Sequence, residues 1–262
     1  MRVLVTNDDG VRAPGIAALA RAVVDAGYDV VVVAPMDDRS GSSAAIGPVH
    51  MTESLEVETV ELPGLEGCPC YGIDGPPAVA VMTARLGGFG EEPELIVSGI
   101  NPGANTGRSV LHSGTVGAAL SGANFGVSGL AVSVVPSEAY QWETAAALAV
   151  EALGWLVDAP RKTVLNLNVP ALPLDEVKGV RFGRLAPFGT VRTAIAEAGD
   201  GRLELELRVT GERLDPDTDT ALVNDGWAVL TPLVGIRATT EVDPIPYVQE
   251  RLAARMGAGL VH

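Results

Sequence analysis

The sequence predicts an α/β sandwich: a mostly parallel sheet with helices on both faces, followed by an antiparallel appendage. Three observations lead there. The first 34 residues read as strand, helix, strand, and a βαβ unit implies parallel strands joined by a right-handed crossover. Of 262 residues 47% are hydrophobic but only 4% aromatic, so the core is built from Val, Leu, Ile and Ala, which suits strands buried on both faces. After Pro170 the pattern changes to short alternating strands separated by turn residues.

Val3 to Thr6 reads as a fully buried strand that runs into Asn7-Asp8-Asp9-Gly10. Ala13-Pro14-Gly15 starts a helix through about Ala26, with Ile16, Leu19, Ala20 and Val23 at helical spacing and Gly27 ending it. Asp29 to Ala34 is a second buried strand, and the loop after it, Pro35 to Pro48, is rich in Ser and Gly. Leu55 to Val60 alternates as a strand does, and Gly75-Pro76-Pro77 opens a helix through about Leu86. Glu94 to Ile100 is a third buried strand, followed by a glycine-rich loop to His112 and a small-residue helix, Val116 to Asn124. Leu130 to Val134 is the next strand, Glu138 to Val157 the next helix, and Thr163 to Val169 the last core strand. Alternating leucines at 203, 205 and 207 predict an antiparallel hairpin or arm within 180–209. Ala228 to Leu233 is a further strand and Pro244 to Met256 a terminal helix. The division expected is a core over 1–170 and a C-terminal extension over 171–262.

Lys and Arg number 18 against 33 Asp and Glu, a net charge of −15. Such a surface repels phosphate backbones and anionic bilayers, which argues against a polymeric nucleic-acid or membrane partner. No apolar run reaches membrane-spanning length and no leader pattern precedes the first strand, so a cytoplasmic location is expected. Cys68 and Cys70 cannot by themselves build a disulfide framework or a four-ligand zinc site, and read as incidental reduced thiols.

Chemistry concentrates in loops that follow buried strands, because open α/β sheets bind ligands outside the carboxyl ends of their strands. The first loop carries the adjacent carboxylates Asp8 and Asp9. The second carries Arg39-Ser40-Gly41-Ser42-Ser43, and the third Asn101-Pro102-Gly103-Ala104-Asn105-Thr106-Gly107. Carboxylate, hydroxyl and amide oxygens are hard ligands and favour Mg²⁺, Mn²⁺ or Ca²⁺ over structural zinc. Each loop also has a plain reading: an Asp-Gly turn, a flexible Ser/Gly linker, a turn after a strand. Ser113-Gly114-Thr115 stands at a helix start, where free N–H groups and the helix dipole attract phosphate, or where Ser and Thr serve simply as caps. A cation and a phosphate cradle on one sheet edge specify phosphoryl chemistry. His112 is a candidate substrate contact or acid, whereas His50 and His262 carry no signal. No G-x-G-x-x-G follows the first strand and no Walker A pattern occurs, which weakens dinucleotide and ATPase readings.

Four segments in order, Val5 to Gly10, Ala34 to Ser42, Ser98 to Gly107 and Ser113 to Ala119, resemble the SurE family of stationary-phase survival proteins. The similarity extends more weakly through Leu165 to Pro170 and Thr231 to Leu233. The resemblance implies a Rossmann-like core, a metal-dependent 5′/3′-nucleotidase acting on nucleoside monophosphates, and homodimers or homotetramers that exchange C-terminal elements. It implies one divalent cation per subunit, Mg²⁺ or Mn²⁺, held by Asp8, Asp9, Ser40 and Asn101. Asn105, Ser113, Gly114 and Thr115 would hold the phosphate, with Asp8 and Asp9 in the catalytic role. The chain departs from the family pattern at Arg108 to His112, at Ser121 in the following helix, and at Met36-Asp37-Asp38. A nucleotide-binding regulatory protein without turnover is the alternative.

Overall fold

The computed structural model describes residues 1–47, 54–187, 191–199, 202–209, 214–237, 241 and 244–258. Val3 and Val5 belong to one apolar cluster and Leu4 to another, because alternate side chains of a strand point to opposite faces. This strand, β1 (Arg2–Thr6), is therefore buried from both sides. Its neighbours β2 (Asp29–Pro35) and β5 (Leu95–Pro102) pair with it in parallel. With β3 (Val57–Thr59), β4 (Cys70–Ile73), β6 (Ser128–Val134), β7 (Val164–Val169), β8 (Val180–Phe182) and β11 (Ala228–Leu233) they form one sheet in the order β3-β4-β2-β1-β5-β6-β7-β11-β8. The strands from β4 to β7 in this order are all parallel.

Helices α1 (Pro14–Asp25) and α4 (Trp142–Val157) cover one face through Ile16, Leu19, Ala149 and Leu153. On the other face lie α2 (Pro77–Arg85) and α3 (Gly114–Asn124), through Val79, Ala80 and Ala118. This is the expected three-layer arrangement. Small residues bring its layers close. A Cβ at Gly129 would sit 2.5 Å from the Ala119 carbonyl oxygen and 2.8 Å from the Ala119 Cα, so β6 touches the backbone of α3 directly.

Several boundaries move. The helix expected from Glu138 starts at Trp142, the one expected from Val116 starts at Gly114, and the terminal helix α6 spans Ile245–Ala258. The strand β4 escaped the sequence pattern because Cys-Tyr-Gly-Ile is short and carries no alternation. Helix α5 (Asp219–Asn224) is six residues long, too short for a helical period to register. The expected hairpin is present as β9 (Val191–Gly199) and β10 (Arg202–Val209), antiparallel and apart from the main sheet. Strand β11 joins the main sheet antiparallel to β7, with Val229 opposite Asn168. Cys68 and Cys70 are free thiols, with Cys70 buried.

The chain leaves β1 for β2 on one side, then returns to place β5 on the other. The crevice between the carboxyl ends of β1 and β5 is thus the topological switch point, where such sheets bind ligands. Packing at this level predicts that Gly129→Ala destabilises the fold by about 1–3 kcal/mol, since the new methyl meets backbone. A lowered urea midpoint at an unchanged m-value is the expected result.

Candidate functional site

Asn7 to Gly10 turn the chain at the end of β1. The Asn7 side-chain amide donates to the Gly10 carbonyl at 2.9 Å, and Gly10 takes φ +105°, a conformation that favours glycine. The Val11 N–H then donates to Pro35 O at 2.7 Å, and Arg39 N–H donates to Asp8 O at 2.7 Å. The loops after β1 and β2 are therefore stitched together.

Asp8 is buried and reaches α3. Its Oδ2 accepts the Gly114 N–H at 3.1 Å, and its Oδ1 accepts the Thr115 hydroxyl. Ser113 caps the same helix, its Oγ accepting the Val116 N–H at 3.1 Å. The anion at this helix start is thus the Asp8 carboxylate, placed where the helix dipole favours negative charge. A Cβ on Gly114 would lie 2.7 Å from Asp8 Cβ, from Asp8 Oδ2 and from Ser42 Oγ, so the position accepts only glycine without displacement. One turn on, a Cβ on Gly117 would overlap the backbone of Ser43 and come within 2.6 Å of Ala44 N. The Ser/Gly loop accordingly lies across the start of α3 as a packed segment. Burial raises the Asp8 pKa above the ordinary carboxylate value, and the Thr115 hydroxyl and local N–H groups oppose that rise.

Asp9 is pushed up to about 7, first by burial and then by the negative charges of Asp8 and Asp38. Among the described residues no Lys or Arg pairs with Asp8 or Asp9. Asp9 Oδ2, Asn7 Oδ1 and Ser42 Oγ are buried without a hydrogen-bond partner. Two crowded carboxylates, orphaned oxygens and no neighbouring cation are the chemistry that a hard divalent ion satisfies, so the residues fit a metal. Among the described residues no three His, Cys, Asp or Glu side chains converge, so hydroxyl and amide oxygens would have to complete the set.

Asn101 is carried on β5, where the register against β6 slips. Ser98 pairs with Ala131 and Asn101 with Ser133, three steps on one strand against two on the other. Such a bulge re-aims the residues that follow it. The Asn101 Nδ2 donates to Gly103 O, its only side-chain bond among the described residues, which leaves Oδ1 as a free acceptor. Ser40 is exposed, and both its N–H (2.8 Å) and its hydroxyl (2.6 Å) donate to Asp38 Oδ1. The four residues expected at a metal share one sheet edge, yet none bonds to another through its side chain.

Asn105 is held in a network that the sequence reading missed. Its N–H donates to Asn168 Oδ1 at 2.8 Å and its Nδ2 to Ser133 Oγ at 2.9 Å. Its carbonyl accepts from Asn166 Nδ2 at 2.8 Å and Asn168 Nδ2 at 3.0 Å. Asn166 and Asn168 alternate along β7, which is the available sequence signal: two amides in an otherwise apolar strand. Arg108 and His112 are exposed, and the Ser121 hydroxyl returns to the Gly117 carbonyl at 2.8 Å within α3.

A doubly covered parallel sheet with two crowded carboxylates at its switch point defines a Rossmann-like α/β protein. The comparisons make this particular. The family model for the survival protein SurE matches residues 3–190, and the chain belongs to the SurE family. It is similar to the 5′/3′-nucleotidase SurE of Cronobacter sakazakii, 39% identical over 245 residues that cover 89% of this chain and 90% of that one. It is 39% identical to the 5′-nucleotidase SurE of Chloroflexus aggregans over 242 residues, 89% of this chain and 92% of that one. The crystal structure of the SurE protein from Aquifex aeolicus superposes with a TM-score of 0.77 at 29% identity, covering 92% of this chain and 95% of that chain.

The raised Asp9 pKa sets a pH dependence for the metal-free protein. A carboxyl that holds its proton more tightly in the folded state makes folding less favourable as pH rises from the unfolded value, near 3.8, to about 7. With chelator present, the thermal midpoint is expected to fall over that range. Asp9→Asn should flatten the fall, and Mn²⁺ should restore the midpoint of the parent protein at the alkaline end.

Proposed function

We propose that this chain is a divalent-metal phosphomonoesterase that hydrolyses nucleoside 5′(3′)-monophosphates to nucleoside and phosphate. The observation that carries the proposal is the Asp8–Asp9 pair beside the start of α3, which is crowded, desolvated and, among the described residues, unpaired by any cationic side chain. Family membership and the nucleotidase names of the relatives support the reaction and the substrate class.

Asp8, Asp9, Ser40 and Asn101 are the residues we assign to hold the cation, Mg²⁺ or Mn²⁺. When bound, such a cation neutralises charge on phosphoryl oxygens and lowers the pKa of water. The chain's own residues do the rest. Gly114 and Thr115 fix Asp8, so one carboxylate of the pair cannot swing away. Asp9 makes no such bonds through Oδ2, and we assign it the role of taking a proton from attacking water. Ser113 retains its hydroxyl proton, and Asn105 Nδ2 retains one N–H beyond that used by Ser133, so both can donate to a phosphate oxygen. Arg108 and His112 lie exposed between Asn105 and Ser113, and we assign them to the part of the substrate beyond its phosphate.

We also assign the chain a homo-oligomeric state. Phe182, Ile236, Val248 and Leu252 of the C-terminal extension are exposed apolar side chains, the kind of surface that subunit contacts cover. Sedimentation at micromolar concentration should give a mass of at least two chains, and a monomer would overturn this assignment.

For the reaction, phosphate release from AMP and GMP should require Mg²⁺ or Mn²⁺ and cease in excess chelator. Asp9→Asn should abolish turnover in a protein whose circular dichroism is unchanged. Tight AMP binding by the parent with no product would instead support a regulatory role.

A further inference from the structure

Outside the carboxylate pair, the most completely engaged carboxylate described is Asp219, at the first turn of α5. It is fully buried. Its Oδ1 accepts the N–H of Ala186 at 3.0 Å and of Thr220 at 2.7 Å. Its Oδ2 accepts the N–H of Gly107 at 2.7 Å, across 112 residues of chain. Its own N–H donates to Arg184 O at 2.7 Å. A buried charge without a cationic partner is costly unless N–H groups surround it, so this carboxylate enforces the position of every backbone it touches.

Two of those backbones come from the C-terminal extension, and the third is the loop after β5. Gly107 takes φ +59°, and a Cβ there would lie 3.0 Å from Ala186 O and 3.2 Å from Ala186 Cβ. The loop and the extension are therefore in direct contact at this point. Two residues upstream, Asn105 is held by Ser133, Asn166 and Asn168. Thr106, between the two clamps, is buried.

We propose that Asp219 is a positioning residue for the substrate loop: by anchoring Gly107 it sets where Asn105 presents its amide, and so makes the C-terminal extension part of the active-site scaffold. The proposal rests on the reading that Asn105 contacts the substrate phosphate. Asp219 touches neither Asp8 nor Asp9, so its effect falls on substrate binding and leaves metal binding alone. A phosphate contact made equally in the ground and transition states appears in KM rather than kcat.

The experiment compares four variants with the parent as full-length protein. Asp219→Asn removes the charge that receives Gly107, and Gly107→Ala displaces the same contact while keeping Asp219. Leu222→Ala lowers stability within α5 without touching the loop, and Asn105→Ala tests the underlying reading. Expected for Asp219→Asn and for Gly107→Ala is a roughly tenfold rise in KM for AMP, the size of one lost charge-assisted hydrogen bond. The inhibition constant of inorganic phosphate should rise in parallel, kcat should stay within about threefold, and calorimetric Mn²⁺ affinity should remain parental. Leu222→Ala should lower the thermal midpoint at parental KM. The proposal is overturned if Asp219→Asn and Gly107→Ala shift KM no more than Leu222→Ala does while Asn105→Ala raises it. If Asn105→Ala leaves KM at the parental value, the phosphate reading of the loop fails and the proposal falls with it, a distinguishable result.

Discussion

The carboxylate of Asp8, received by Gly114 N–H and the Thr115 hydroxyl at the start of α3, is the interaction on which the rest of the site depends. It links the end of the first strand to a helix more than a hundred residues later. The cost of burying the charge is offset in part by backbone N–H groups, a hydroxyl and the dipole behind them. Because those donors already hold Asp8, the neighbouring Asp9 is left as the carboxylate with unmet electrostatic demand. Its pKa of about 7 without a cation expresses that demand. The pair is thus asymmetric, with one member fixed and one poised.

Close packing of small residues makes the asymmetry possible. Gly114 allows Asp8 and Ser42 to approach the α3 backbone, and Gly117 allows the Ser43–Ala44 backbone to cross it. The glycines of this helix would lower its stability in isolation. Here they are the surfaces on which two functional loops rest, and tertiary contacts outweigh propensity. Asp38 falls within this arrangement: it accepts both bonds from Ser40 and adds a negative charge to the surroundings of Asp9.

The loop after β5 shows a second principle, position imposed from outside. A bulge in β5 turns Asn101, two asparagines of β7 hold Asn105, and Asp219 holds Gly107. None of these restraints comes from the loop's own composition. A glycine-rich loop has high conformational entropy, and a precise site on it requires that entropy to be removed by contacts from elsewhere.

The sequence by itself determined the parallel core and the strand ends at which loops emerge, and it singled out three of those loops and one helix start as candidates for the chemistry. Apolar strands, helical spacing and turn residues are local signals, and the switch-point rule converts their order into a place. The resemblance carried by the same segments supplied the nucleotide, which no periodicity could have done. Only the tertiary structure decided that the Ser113–Thr115 helix start is occupied by Asp8, that Ser42 presents an orphaned hydroxyl, and that Ser133, Asn166, Asn168 and Asp219 hold the loop after β5. The physical reason is range. A backbone N–H that meets a carboxylate 112 residues away leaves no pattern in the chain, because any residue but proline supplies the donor and only the fold brings it there.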